Sequence, residues 1–286
     1  MTASIETVPS TSSRPAASSG PMSEELERRA LLRSRFISRH LVPNVIRVLL
    51  IILLIGLWQI GTNAKVLDSF TLGSPQGIWK SFAMSVADGS IVTDCLSTLS
   101  STVVGFVIGS ALGVLSGLAL WFVPKVMRLT DPIVVTLNGL PKIALGPLII
   151  IWFGSGKVSK IILAAFATFI IALLNSCEGS AKVNAESVSL VRSMGASKWQ
   201  LFAKVIVPSS MPWIISAFRV NVGLALLAVI GGEFISADAG LGRKAAVAGN
   251  LYDLNGIWVS VLLILVLAAL LNVVVSWVAR RIEKIV

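Results

Sequence analysis

Six long apolar runs dominate the pattern of hydrophobic and polar positions, and shorter polar segments separate them. Each run has close to the ~20 residues that an α-helix needs to cross ~30 Å of hydrocarbon. Because backbone groups in lipid must be paired within their own segment, the pattern predicts an all-α integral membrane protein with about six transmembrane helices. Pro141 and Pro147 are expected to break the third helix. The runs lie at about 44–62, 95–122, 133–153, 159–176, 211–235 and 257–279.

The segment before the first run has a different composition. Residues 1 to about 23 are rich in Ser, Thr, Pro and Ala, and we expect disorder because they cannot bury enough apolar surface to offset the entropy of ordering. Residues 24–39 are basic and partly amphipathic, which fits either a helix at the cytoplasmic membrane surface or a solvated tail. The chain therefore divides into an N-terminal cytoplasmic tail, residues 1–40, and a membrane domain, residues 41–286.

Composition and charge support this membrane location. Hydrophobic residues make up 55% of the chain and charged residues only 13%, whereas a soluble domain has about 25% charged residues. The net charge is +10, but the cations flank apolar runs, so we expect no nucleic-acid binding. Most of the 24 lysines and arginines lie on the N-terminal side of the membrane, which predicts that both termini are cytoplasmic. Tryptophans near the run ends predict contact with membrane lipid headgroups, at Trp58, Trp121, Trp152, Trp258 and Trp277.

Four glycines recur at every fourth position of the second run. This spacing places them on one face of a helix, where the missing side chains let another backbone approach closely. We therefore expect tight helix packing along Gly105, Gly109, Gly113 and Gly117.

The longest predicted cytoplasmic connection, residues 177–208, contains signals for two short helices. Asn184 is a candidate N-cap for a helix from 185 to about 194, and Gly195 is a candidate C-terminal glycine. Ser197 is expected to cap a second short helix that ends at Pro208. Both a docking element for a soluble partner and an interfacial loop on lipid headgroups fit this pattern.

Several ionisable and amide side chains fall inside the predicted helices. A charge at the centre of such a helix costs about 2.5–3.5 kcal/mol, so these residues are expected to face protein or water and to mark a polar pathway. The candidates are Lys142, Arg219, Asn221 and Glu233.

Structural roles compete with a pathway role at these positions. Lys142 could instead extend to the inner membrane interface or pair across a dimer. Arg219 is expected to pair with Asn221 or Asn138. Glu233 lies near the outer end of its run, where it could line a gate or pair with Arg243 or Lys244.

No catalytic or metal-binding chemistry is indicated. Cys95 and Cys177 lie near the ends of different runs on opposite predicted faces, so we expect neither a disulfide nor a metal site. His40 is the one histidine, and no nucleophile constellation or carboxylate pair accompanies it. A phosphate-binding loop requires G-x-x-x-x-G-K-[ST], and the nearest approach, Gly156-Lys157, lacks the rest of that pattern. The chain is therefore expected to be non-enzymatic.

The segment before the fifth run resembles the cytoplasmic coupling loop of binding-protein-dependent ABC transporter permeases. That loop has the pattern E-A-A, three residues, G, nine residues, I, one residue, L-P. Gly195 matches the glycine and Pro208 matches the final proline. Val205 and Val207 replace the isoleucine and leucine, and Phe202 fits an aromatic often found between them.

The resemblance departs from this pattern at its start. The E-A-A positions hold Ser189, Leu190 and Val191, and Glu186 lies about one helical turn earlier. The helix–glycine–helix arrangement is retained. The resemblance implies that an ATPase subunit is contacted by Glu186, Ser189, Leu190, Val191, Gly195, Ala196, Trp199, Phe202 and Pro208.

Two further segments, 140–161 and 191–242, resemble the subfamily that imports sulfonates, taurine, nitrate and thiamine precursors. The resemblance implies a type I ABC importer permease in a bacterial plasma membrane. It also implies a homodimer, two cytoplasmic ATPase subunits that bind ATP and Mg, and an extracytoplasmic solute-binding protein. This chain would hold no cofactor, and its solute would be a small anion or a thiamine-precursor-like heterocycle. The alternative is an autonomous secondary transporter or channel, but no internal repeat typical of that class is evident.

Overall fold

A computed structural model describes residues 42–284, and the predicted N-terminal tail lies outside this range. The chain forms two compact units, one ending at Ile60 and the other beginning at Gly61. The described part of the first unit is formed by the apolar helix α1 (Val42–Asn63), up to Ile60. Its length and composition suit a membrane span.

The second unit is built from α-helices joined by short turns, and residues 42–284 contain no strand, which confirms the all-α prediction. A 3₁₀ turn, Leu120–Phe122, follows the helix that ends at Ala119, and another, Lys142–Leu145, precedes the helix that begins at Gly146. A π turn, Phe202–Ile206, joins the helix that ends at Leu201 to the one that begins at Val207. The helices are α2 (Ser69–Leu72), α3 (Pro75–Ala87), α4 (Ser90–Ala119), α5 (Pro124–Gly139), α6 (Gly146–Phe153), α7 (Lys157–Ala181), α8 (Ala185–Ser193), α9 (Lys198–Leu201), α10 (Val207–Ile235), α11 (Leu241–Asn250) and α12 (Leu254–Ile282).

Five helical stretches of the described chain are long and apolar enough to cross a membrane: Val45–Asn63, Ser90–Phe122, Lys157–Ala181, Lys198–Ile235 and Leu254–Ile282. A bent pair, Pro132–Gly139 with Lys142–Phe153, whose parts meet at 83°, passes the same test when taken together and then counts as a sixth span. The predicted break in the third run is therefore present, with Pro141 at its start. Pro147 lies in the first turn of α6, where a proline removes no helical hydrogen bond.

Helices α4 and α7 pack closely along the glycine stripe. A Cβ on Gly105 would lie 2.5 Å from the Cβ of Ala164, and a Cβ on Gly109 would overlap Ala165 O and Thr168 Oγ1. Because all three atoms belong to backbone or to buried side chains, they cannot easily move aside for a new side chain. The same close approach continues at Gly113 and Gly117, and all four glycines are buried.

Helix α10 completes the core. One apolar cluster joins it to α6 and α7 through Ile149, Leu163 and Val229. A second cluster joins it to α11 and α12 through Leu226 and Leu271. Helix α10 therefore contributes to both apolar clusters of the second unit.

The two ends of this unit differ in structure. The end that carries α8 and α9 is called the proximal end here, and the opposite end, which carries α3 and α11, is called the distal end. At the distal end, Asn255 Oδ1 accepts a hydrogen bond from Ser74 N at 3.0 Å, and Trp258 Nε1 donates to Leu72 O at 3.0 Å. These contacts fix the connection before α3 to the start of α12.

The prediction that Pro208 ends the second short helix is wrong. Helix α9 passes through the π turn into α10, so one helical stretch runs from Lys198 to Ile235. The N–H of Val207 donates to Phe202 O, five residues back. The regular hydrogen bonds to the fourth preceding residue are therefore already interrupted at Val207. Pro208, which has no N–H to donate, follows directly and breaks no further regular bond.

Candidate functional site

The proximal end carries the helix–glycine–helix segment, residues 185–206, which is called the elbow segment below. Helix α8 begins after Asn184, whose Oδ1 accepts a hydrogen bond from Glu186 N at 2.8 Å, so the predicted N-cap is confirmed. Helix α9 begins after Ser197 with a reciprocal capping box. Gln200 N donates to Ser197 Oγ at 3.2 Å, and Ser197 N donates to Gln200 Oε1 at 2.9 Å.

Gly195 forms the elbow between the two helices. Its φ is +82°, in the left-handed region that glycine occupies without a steric penalty. A Cβ at this position would meet no atom within 4 Å. The requirement for glycine therefore comes from the backbone angle and not from close packing.

The elbow segment is anchored on one side and exposed on the other. Leu201 and Ile206 are buried and hold α9 against the bundle. Leu190 is 64% exposed, Met194 is 78% exposed and Trp199 is 65% exposed. Exposed apolar side chains gathered on one connecting segment are typical of a protein-docking surface.

Eight of the nine residues predicted to contact an ATPase lie on this segment, and Pro208 lies just beyond it. Glu186, Ser189 and Leu190 are exposed on α8, and Val191 is half-buried. Trp199 lies on α9, and Phe202 opens the π turn. The remaining members of the predicted set are Gly195 and Ala196 at the elbow and Pro208 in the first turn of α10.

An aromatic cluster joins the elbow segment to α4, and the sequence analysis did not find it. The ring centroids of Phe122 and Phe202 are 4.6 Å apart, and Phe122 stacks on Trp199 at 5.8 Å. Trp121 lies 5.7 Å from Phe202. The adjacent aromatics at the end of the second apolar run were a visible signal, but their partners lie about 80 residues later in the chain.

Lys142 lies at the break in the bent span. Its Nζ donates to Asn138 O at 3.0 Å and to Asn138 Oδ1 at 3.2 Å, and the side chain is half-buried. The ammonium therefore binds the C-terminal end of α5, whose last carbonyls have no helical partner.

Arg219 pairs with neither Asn221 nor Asn138, so that expectation is corrected. Its guanidinium binds Glu283 Oε1 at 2.8 Å, and both side chains are about half exposed. Helices α10 and α12 lie side by side, which brings together residues that are 64 positions apart. Sequence proximity suggested the wrong partner.

Asn221 is fully buried where α4, α7 and α10 meet. Its Nδ2 donates to Ser110 Oγ at 3.2 Å and to Thr168 O at 3.1 Å. Its Oδ1 accepts no hydrogen bond from the described residues. In this structure Asn221 therefore contributes to helix packing.

Glu233 is also buried, with only 2% of its surface exposed. Its carboxylate accepts hydrogen bonds from Thr98 Oγ1 at 2.9 and 3.0 Å and from Gly242 N at 2.9 Å. Thr98 Oγ1 in turn accepts from Leu241 N at 2.9 Å. Glu233 thus fixes the start of α11 to α4 and α10.

The expected ion pair between Glu233 and Arg243 or Lys244 is not formed. Lys244 Nζ instead donates to Ser90 Oγ at 2.7 Å and lies 3.8 Å from Asp94 Oδ2. Gly242 N in the first turn of α11 and the Thr98 hydroxyl donate to Glu233, so these groups and not a lysine satisfy the carboxylate.

Comparison with known proteins identifies the chain's relatives. Residues 105–286 match the family described as binding-protein-dependent transport system inner membrane component. The chain is 29% identical over 252 residues to the riboflavin transport system permease protein of Chloroflexus aurantiacus, covering 88% of this chain and 94% of the relative. It is 26% identical over 237 residues to a putative aliphatic sulfonates transport permease protein of Bacillus subtilis, covering 83% and 86%.

A solved structure has the same fold. A chain of the MetNI methionine ABC transporter, in an inward-facing form, aligns with a TM-score of 0.60 and 20% identity, covering 68% of this chain and 97% of that one. This confirms the predicted type I importer permease fold. The family match includes the glycine stripe, the bent span, the elbow segment and α10. This multi-pass membrane protein therefore belongs to the binding-protein-dependent transport system inner membrane components, the permease subunits of ABC transporters.

Proposed function

We propose that two copies of this chain form the solute pathway of an ATP-driven importer. Two cytoplasmic ATPase subunits dock on the two elbow segments and bind ATP and Mg. An extracytoplasmic binding protein delivers the solute to the distal end. The proximal end and both chain termini face the cytoplasm, in agreement with the placement of lysines and arginines.

The observation that supports docking best is the exposed apolar face of the elbow segment. Leu190 and Met194 project from α8, and the left-handed Gly195 turns the chain directly into α9. A connector between spans needs neither two capped helices nor a rigid elbow. An ATPase subunit that covers these side chains would remove their apolar surface from water.

The route by which ATPase movement reaches the spans has two branches. The first runs from α9 through the π turn into α10, without an intervening loop. The second runs through the aromatic cluster into α4. Because α4 and α10 both pack against α7, displacement of one elbow segment would move three spans together.

The proposed solute is a small organic or inorganic anion, such as a sulfonate, taurine or nitrate, or a thiamine-precursor-like heterocycle. The relative named for aliphatic sulfonates supports an anionic solute, and the relative named for riboflavin supports a heterocycle. In such systems, selectivity is expected to be shared with the binding protein.

A pair of matched leucine variants tests the docking proposal. Leu190→Asp places a charge on the elbow segment, and Leu251→Asp places the same charge on an equally exposed leucine at the distal end. The chain is co-expressed with its cognate ATPase subunit and purified in detergent. We expect Leu190→Asp to lose the ATPase and Leu251→Asp to retain it.

Equal retention of the ATPase by both variants would contradict the proposal, as would loss by both from a folded permease. Uptake into proteoliposomes that continues without ATP would instead support an autonomous transporter. Thermal unfolding of each purified variant establishes that it is folded.

A further inference from the structure

A small polar cavity lies at the distal end, outside the elbow segment and the bent span. Its volume is about 190 Å³, and it is enclosed by the start of α4, the turn before α7 and the turn after α10. Two lysines line it, together with three serines and one carboxylate: Lys157, Lys160, Ser97, Ser101, Ser155 and Asp238. None of these residues has a role in the proposed coupling route.

Lys160 is the central group of this cavity. Only 2% of the residue is exposed, and its Nζ donates to Ser155 O. No carboxylate oxygen of residues 42–284 lies within ion-pair distance of this ammonium. An ammonium has three donors, so two remain for another acceptor. A buried cation without a paired anion is costly, which favours binding of a counter-charge.

Lys157 supplies a second cation at the mouth of the cavity. It is exposed, and its Nζ donates to Ser100 Oγ at 3.4 Å, a long contact that a better acceptor can replace. Ser101 is buried in the wall. Ser97 lies beside it, but its hydroxyl donates to Ala239 O at 3.3 Å and can bind an anion only by leaving that contact. Ammonium and hydroxyl donors around one small space are the groups that hold an oxyanion.

The nearby carboxylates form no ion pair with Lys160. Glu233 accepts hydrogen bonds from Thr98 and Gly242, and Asp94 accepts one from Gly240 N at 2.8 Å. Glu233 and Asp238 attract the Lys160 ammonium electrostatically, but neither lies within ion-pair distance of it. Asp238 is exposed at the rim, where water and salt screen its charge.

We infer that this cavity binds a small oxyanion, a single sulfonate, sulfate, carboxylate or phosphate group, between Lys157 and Lys160. Its volume is below the roughly 300 Å³ at which drug-sized ligand pockets begin, so it accepts one such group and not a large solute. The group can belong to a free anion or to a lipid headgroup. The inference rests on the proposed function only in assigning the distal end to the extracytoplasmic side.

Binding of radiolabelled sulfate to the purified full-length chain tests this site. The chain is placed in nanodiscs of phosphatidylcholine, and sulfate is titrated at constant ionic strength maintained with sodium chloride. We expect saturable binding with one site per chain. Lys160→Gln should lose it, and Lys157→Gln should weaken it about tenfold, the effect of one charge-assisted hydrogen bond. Lys80→Gln, which removes an exposed lysine of α3, should bind as the unsubstituted chain does.

Absence of saturable sulfate binding, or unchanged binding by both Lys157→Gln and Lys160→Gln, would overturn the inference. Lys157 is exposed, so its variant remains informative if Lys160→Gln does not fold. Nanodiscs that contain phosphatidylglycerol identify the source of the group: competition with sulfate assigns the site to a headgroup, and unchanged binding assigns it to a free anion. Because neither an ATPase nor a nucleotide is present, a failure of the importer proposal leaves this result unaffected.

Discussion

Phe122, the last residue of the 3₁₀ turn after α4, lies against Phe202, the first residue of the π turn, with 4.6 Å between their ring centroids. Each residue is half-buried, and Trp199 stacks on the same ring of Phe122. The elbow segment is therefore attached to the bundle by side chains as well as by the continuous backbone of α10.

Phe202→Ala should uncouple transport from ATP hydrolysis. The ATPase should still bind because Leu190 and Met194 are unchanged. An aromatic pair is worth about 0.5–1.5 kcal/mol, so its loss shifts a coupled conformational equilibrium about two- to tenfold. Solute uptake per ATP hydrolysed, measured in proteoliposomes, should fall accordingly. Phe70→Ala, which removes an exposed distal ring, is the control and should leave this ratio unchanged.

Gly195→Ala should destabilise the elbow although there is open space around it. Alanine at a φ of +82° costs about 1–2 kcal/mol because its Cβ approaches the following carbonyl. Gly195→Asn should cost less, since asparagine tolerates the left-handed region. ATPase activity stimulated by the assembled permease should rank Gly above Asn and Asn above Ala. Equal activity of Ala and Gly, or Ala above Asn, would contradict a requirement set by the backbone angle.

Gly109→Ala should prevent close packing of α4 and α7. Its Cβ would overlap Ala165 O and Thr168 Oγ1, and overpacking of this kind typically costs about 1–3 kcal/mol. The thermal unfolding midpoint of the purified chain should fall. Gly223→Ala is the matched variant, because Gly223 lies within a span and its Cβ would meet no atom within 4 Å. That variant should be neutral or more stable.

Glu233→Ala should release the distal turn from the spans. It removes the acceptor for Thr98 Oγ1 and Gly242 N, and each buried donor left unpaired costs about 1–3 kcal/mol. Amide hydrogen exchange of residues 236–242 should accelerate, whereas exchange in the elbow segment should not change. Protection that persists at 236–242 would show that other contacts hold the turn.

Arg219→Gln should have little effect on stability. The ion pair with Glu283 is about half exposed, and pairs in such positions contribute roughly 0–1 kcal/mol. The unfolding midpoint of Arg219→Gln and of Glu283→Gln should therefore stay close to that of the unsubstituted chain. A large loss of solute uptake without a loss of stability would instead indicate a pathway role for Arg219.

Local features were the part of this structure that sequence patterns predicted well. Asn184, Gly195 and Ser197 act within a few residues of themselves, so their capping and turn roles could be read from spacing alone. The six apolar runs were equally visible, because the thickness of a membrane sets the length of a span.

Long-range partners could not be derived in the same way. Thr98 and Glu233 are 135 residues apart, and Arg219 and Glu283 are 64 apart, so their pairing depends on how the helices assemble. Pro208 was misjudged for a different reason. A π turn accommodates a proline that would end a regular α-helix, and composition does not show where such a turn forms.

The 83° bend of the third span limits how this protein can be surrounded. At residues 140–145 the chain departs from regular α-helix inside an apolar stretch, and acyl chains cannot satisfy backbone groups that lack a helical partner. The side of the molecule that carries the bend must therefore be shielded from fatty acyl tails, either by water in a central vestibule or by a neighbouring protein subunit.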